Sequence, residues 1–209
     1  MIWLTSHCKP VGSGENLGII WSIFLHSQWW RCKMRVIGGV RMKRVPKGPG
    51  ISPSVVANSI LERSIRDGIS VTPMKLQKLL YLTSVVYQDR TGQELLGEQF
   101  QAWKWGPVCR SIYDEFRSYG AAPIQSYAVD SRGNSLVVSA GDDNSSSTSV
   151  VKAIEDTWNA FKRYSPAELV RVTHGDGGAW DQAWQNFDQY IDNDLIGKDY
   201  DVLGLASKM

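Results

Sequence analysis

Apolar residues between Thr72 and Tyr87 recur with the period of a helix. Leu76, Leu79, Leu80, Thr83, Val86 and Tyr87 stand at i, i+3, i+4, i+7, i+10 and i+11, which puts them on one face. Leu82 and Val85 widen that stripe, so this helix is expected to be buried on more than one side. Its ends carry matching signals. Thr72 can accept from an orphan backbone N–H, and Pro73 suits a first turn, where its missing N–H would be unpaired anyway. Arg90 fits the last turn, and Gly92 can take the left-handed position after it. Downstream the period changes to two. From Glu98 to Trp105, Phe100, Ala102 and Lys104 alternate with Gln101, Trp103 and Trp105, as along a strand. The Gly106-Pro107 pair is expected to stop that segment and start another helix.

The helical period returns on both sides of this stretch. Ser52-Pro53 opens a helix with a stripe of Val56, Ile60, Leu61 and Ile65, ending at Gly68. Val108, Ile112, Tyr113 and Phe116 form the apolar side of a third helix, which ends at Tyr119-Gly120. Ile124 to Val129 and Leu136 to Ser139 flank the polar run Asp130 to Ser135 and read as a β-hairpin. Gly141 to Ser149 is a Ser-rich bridge, expected to be solvated and mobile. A helix from Val150 carries Val151, Ile154, Trp158 and Phe161. Ser165-Pro166-Ala167-Glu168 is a capping box, and the helix it launches ends at His174-Gly175. Trp180, Trp184 and Phe187 follow on a short helix or turn, and Asp192 can cap a last helix bearing Leu195, Ile196 and Tyr200. The expected fold is mainly α (α+β): a helical domain over residues 51–204 with a small antiparallel β-hairpin or sheet, then a tail at 205–209.

Charge changes the picture for the first fifty residues. They hold eight Lys or Arg and one acid, whereas residues 51–209 hold 15 basic and 20 acidic residues. The net charge of +2 therefore conceals a basic extension on a mildly acidic domain, and an acidic domain is a poor nucleic-acid binder. The apolar run from Leu17 to Leu25 is shorter than the roughly 20 residues a membrane span needs, and its basic residues lie on the wrong side for a secretory signal. Residues 1–50 read as a disordered tail, or as sequence upstream of a true start at Met34 or Met42, with Pro46 to Gly50 as a linker. Three widely spaced cysteines, Cys8, Cys32 and Cys109, form no disulfide framework and fit a reducing cytoplasm. Cys109 stands at a helix start, where a thiol pKa can fall; with no supporting motif, the plainer reading is a core residue.

Candidate chemistry is sparse. His174 is the one histidine after residue 50, and no carboxylate pair has ligand spacing, so no metal site is expected. Thr173-His174-Gly175-Asp176 can be read as a general base with an orienting acid, or as a helix end whose histidine serves the last carbonyls and, when protonated, the dipole. The glycines of Gly175-Asp176-Gly177-Gly178 lack the strand and lysine of a phosphate loop and read as backbone geometry. Lys75, Gln77 and Lys78 form either a solvated helix face or the rim of a recognition surface. Trp103, Lys104 and Trp105 join aromatics to the fixed Gly106-Pro107 geometry, with Lys104 placed to lie against an indole face; they are the strongest candidate for a partner-binding patch.

Three segments carry a family resemblance. Lys75-Leu76-Gln77-Lys78-Leu79-Leu80-Tyr81, then Ala102-Trp103-Lys104-Trp105-Gly106-Pro107-Val108, then Leu169 through Thr173-His174-Gly175 to Trp180, resemble in order the motifs of the Panacea domain of SocA-like antitoxins. The resemblance covers roughly residues 51–203. It implies a cytoplasmic, bacterial or prophage-encoded antitoxin without a cofactor, whose partner is a cognate toxin protein. In at least one relative, the antitoxin delivers its toxin to a protease. Two other classes remain: a hydrolase-type enzyme using His174 and a carboxylate such as Asp176, and a regulator whose basic tail contacts nucleic acid.

Overall fold

The computed structural model describes residues 46–130, 132–138 and 145–209. The expectations for the basic extension up to residue 45, and for residues 141–144 of the Ser-rich bridge, lie outside the described residues.

The long apolar stripe becomes the central helix. Helix α1 (Pro53–Asp67) and helix α2 (Pro73–Thr91) each begin with a first-turn proline and end on a left-handed glycine, Gly68 and Gly92. The Thr72 hydroxyl accepts from the Lys75 N–H. Every residue of α2 from Lys75 to Tyr87 is buried, more than the apolar stripe alone requires. The cause is that α2 is covered on all sides: by α1, by α3 (Arg110–Phe116), by α4 (Ser145–Phe161), by α5 (Pro166–Thr173), and by the short α7 (Asn193–Ile196) and α8 (Asp199–Val202). In α1 the buried residues include Val56, Ala57, Ile60, Leu61 and Ser64, whereas Ile65, expected in the same stripe, is 69% exposed.

The sheet is not where one expected hairpin lies. Strand β1 (Gln101–Trp103) turns through Lys104 and Trp105 into strand β2 (Gly106–Val108), with Trp103 opposite Gly106 and Gln101 opposite Val108. Gly106-Pro107 therefore continues a hairpin and does not open a helix; α3 begins only at Arg110. Pro107 is tolerated because the pair is two strands wide and the proline is not required to donate on a far side. The Ile124–Ser139 region does form a turn, with the Asp130 N–H donating to the Asn134 carbonyl, but no ladder joins its arms among the described residues. Side chains of α1 take the place of a partner strand. The Asn58 amide accepts from the Ala128 N–H and donates to the carbonyls of Ala128 and Leu136, and the Ser59 hydroxyl accepts from the Val138 N–H.

Other boundaries move outward. Helix α4 begins at Ser145, so the second half of the expected bridge is helical. Residues assigned to a linker are packed: the Lys47 carbonyl accepts from the Glu94 N–H, and a Cβ on Gly48 would meet the Glu94 carbonyl at 2.2 Å. Leu205, expected in the tail, is fully buried. The Ser165–Glu168 capping box forms in both directions, and Asp192 accepts from the Asp194 N–H at the start of α7. Among the described residues, no helix is long and apolar enough to cross a membrane.

Candidate functional site

Three separate stretches of the chain meet at Gly106. From α2, Lys78 reaches the hairpin and its ammonium donates to the Pro107 carbonyl at 3.1 Å. One residue earlier, the Gln77 amide accepts from the Cys109 N–H at 2.8 Å and donates to the Cys109 carbonyl at 3.2 Å. Lys75 donates to the Lys162 carbonyl at the end of α4. All three polar side chains are buried and engage backbone atoms. They form neither a solvated face nor an exposed rim: a helix enclosed on every side turns its polar positions inward as well, and these must then find partners.

From α5, Thr173 and His174 arrive on the other side. A Cβ on Gly106 would lie 2.6 Å from Lys78 Nζ, 3.0 Å from His174 Nε2 and 3.1 Å from Thr173 Oγ1. Gly106 has φ +94, which glycine alone adopts without strain. The glycine thus lets backbone fill the space on which a lysine, a histidine and a threonine converge. Thr173 donates to the carbonyls of Leu169 and Val170. Among the described residues, His174 Nε2 is buried without a hydrogen-bond partner.

Burial sets the electrostatics. Among the described residues Lys78 has no carboxylate partner, and desolvation lowers its pKa from 10.5 to about 7. The His174 pKa is also lowered, first by desolvation and then by Lys78. Both causes disfavour the protonated ring that would serve the helix dipole, and the ring stacks on Trp180 with centroids 3.7 Å apart. The carboxylate whose charge reaches His174 is Asp181, while Asp176 is exposed. Burial raises the Cys109 thiol to about 12, so it is a core residue, not a nucleophile.

Gly175, Gly177 and Gly178 lie in the loop before Trp180. Gly177 has φ +74, and a Cβ on Gly175 would approach Leu203 Cδ2 at 2.6 Å. Asp199 of α8, unnoticed in the sequence, holds the far side: its buried carboxylate accepts from the Ala179 N–H at the start of α6 (Ala179–Gln185) and from the Tyr81 hydroxyl of α2. Burial raises its pKa and that of Tyr81. Only its distance along the chain from both partners hid it.

Trp180 joins this interior to the surface. Its indole N–H donates to the Trp103 carbonyl at 3.0 Å, and its outer face stacks on Trp184 at 5.7 Å. The hairpin turn projects beyond. Trp105 is 57% exposed, with the Lys104 ammonium 5.0 Å from its ring centroid. Trp103 is half-buried, in edge contact with Tyr113 and under the Arg110 guanidinium. The polar motif of α2, the hairpin and the His174 segment thus form one assembly, with Lys104 and Trp105 on its outside.

A family model described as "Antitoxin SocA-like, Panacea domain" matches residues 76–181, the span that contains this assembly. The chain belongs to the SocA-like Panacea family. It is 31% identical over 134 residues to "Antitoxin SocA" of Caulobacter vibrioides (strain NA1000 / CB15N), a match spanning 63% of this chain and 69% of that protein. No solved structure matches the chain. Membership places this Panacea domain among antitoxins, and the matched span takes in all three motif segments apart from Lys75 at the edge.

Proposed function

We propose that this chain neutralises a cognate protein toxin by binding it, with the Trp103–Trp105 hairpin turn as part of the contact surface. The observation that carries the reading is membership of the SocA-like family across the span that builds the hairpin. The hairpin's form supports it. Its base is clamped through backbone atoms by Gln77 and Lys78, whereas Lys104 and Trp105 project into solvent. A rigid base carrying an exposed indole and a cation suits protein recognition, where Trp and Arg-like groups dominate the energetics. The acidic balance of residues 51–209 disfavours a nucleic-acid partner. A hydrolytic reading has less support, because Gly106, Lys78 and Thr173 occupy the space beside His174 Nε2 where a substrate atom would have to sit.

The test is co-expression. The gene beside this one is induced alone and then with the full chain. Rescue of growth with co-purification supports neutralisation by binding. Rescue in which the toxin disappears, and reappears in a protease-deficient host, supports delivery to a protease. A toxic neighbour that the full chain leaves unrelieved overturns the reading. Lys104→Ala with Trp105→Ala is expected to weaken the complex about tenfold or more while the melting temperature holds.

A further inference from the structure

We infer that the C-terminal end of α6, carrying Trp184 and Phe187, is the apolar anchor of the partner interface, and that it seats in an apolar pocket with a Lys- or Arg-rich rim. This rests on the antitoxin reading and adds which surface is used and what chemistry it meets.

Phe187 is the central observation. It is 96% exposed, the most exposed large hydrophobic residue of the described chain, and it has φ +58. The backbone explains the dihedral. The Phe187 N–H donates to the Trp184 carbonyl, and the Asp188 N–H donates to the Ala183 carbonyl. These two bonds define a Schellman ending with Phe187 at the left-handed position, which glycine usually fills. A β-substituted aromatic there is strained. Its side chain recovers nothing by burial within the chain. Strain together with complete exposure marks a residue kept for something outside the fold.

Phe187 is not isolated. Trp184, three residues earlier, is 44% exposed and continues the stack from His174 through Trp180. The segment after Phe187 runs beside β1: the Ala102 N–H donates to the Gln189 carbonyl, and the Ile191 N–H donates to the Phe100 carbonyl. The α6 end is thereby attached to the hairpin strand that leads to Trp105, so both groups of exposed aromatics rest on one rigid unit.

Charge identifies the occupant. From Ala179 to Asp188 the chain has two aspartates, Asp181 and Asp188, and no Lys, Arg or His, while Asp194 further on is paired with Lys47 at 2.7 Å. Asp188, next to Phe187, is exposed and makes no side-chain hydrogen bond or ion pair among the described residues. Among the described residues, Asp181 accepts only from the Gly177 N–H and the Gln185 amide. An exposed aromatic pair flanked by Asp181 and Asp188, neither of them paired with a cation among the described residues, complements a pocket bordered by cations, and it repels phosphate backbones and acidic surfaces.

The experiment uses the full chain and the protein encoded beside its gene, with growth rescue, calorimetric titration and thermal melting as readouts. Phe187→Gly decides the matter, because it removes the anchor and relieves the strain together. The expected result is a melting temperature raised by about 2–4 °C, an affinity reduced about 30-fold and rescue lost. Asp188→Lys is expected to weaken binding about tenfold, and the fall in wild-type affinity between about 0.05 and about 0.5 M NaCl should be shallower in that variant. Phe187→Gly that binds and rescues like wild type overturns the anchor and leaves the antitoxin reading standing. A wild-type chain that neither binds nor rescues overturns both. Self-association of the wild-type chain that Phe187→Gly abolishes assigns the surface to a second copy and overturns the basic-pocket partner.

Discussion

Gly106 has little freedom to change. Its φ of +94 disfavours any side chain, and a Cβ would press on Lys78 Nζ, His174 Nε2 and Thr173 Oγ1 together. Gly106→Ala is expected to lower stability by about 2–4 kcal/mol, read from the denaturant midpoint at unchanged slope. Lys78 leaves a signature in pH. Its folded pKa of about 7 lies below the ordinary 10.5, so between those values the unfolded chain binds a proton that the folded chain does not. Stability owed to this residue therefore rises with pH across that window, by at most about 1.4 kcal/mol per unit, and is flat below it. Lys78→Met should abolish the rise, which urea midpoints from about pH 7 to about pH 9.5 will show. His174 titrates below this range and does not interfere, because its pKa is lowered from 6.5.

Elements with local signals were legible, and those assembled by distant groups were not. The caps at Thr72, Ser165 and Asp192 formed as the sequence suggested, because each depends on atoms within three residues. The expected hairpin at Ile124–Ser139 failed because two apolar arms and a polar turn do not reveal what the arms bond to. Here the partner is Asn58, 70 residues away from Ala128. Asn58→Ala should cost about 2–3 kcal/mol, since it leaves buried backbone groups of the arms unpaired, and should accelerate hydrogen exchange at the Ala128 amide far more than in α4. Ser165→Ala removes a shorter-range support and is expected to cost about 1 kcal/mol, with faster exchange confined to the first turn of α5. At the site, Trp103-Lys104-Trp105 was legible as a candidate patch because Gly106-Pro107 marks a break in the chain; alternation alone would put both indoles on one face, and it is the turn at Lys104 and Trp105 that separates them. The inward turn of Lys75, Gln77 and Lys78 was not, because a lysine in sequence reads as a solvated residue until every neighbour of its helix is known.

The described domain is organised by enclosure of α2, and its response to mutation should be graded by distance from that helix. Leu79→Ala, at a fully buried position facing several elements, is expected to cost about 3–5 kcal/mol in chemical denaturation. Substitutions at Lys104 and Trp105, on the outer turn, should stay within about 0.5 kcal/mol of wild type in the same measurement. That contrast follows from how the inner helix grips the hairpin. Lys75, Gln77 and Lys78 bond to main-chain atoms of Lys162, Cys109 and Pro107, and Trp180 bonds to the Trp103 carbonyl. A grip on main-chain atoms is indifferent to the side chains those residues bear. A lineage can therefore rewrite the outer turn residue by residue, following a partner that is itself changing, without renegotiating its own architecture.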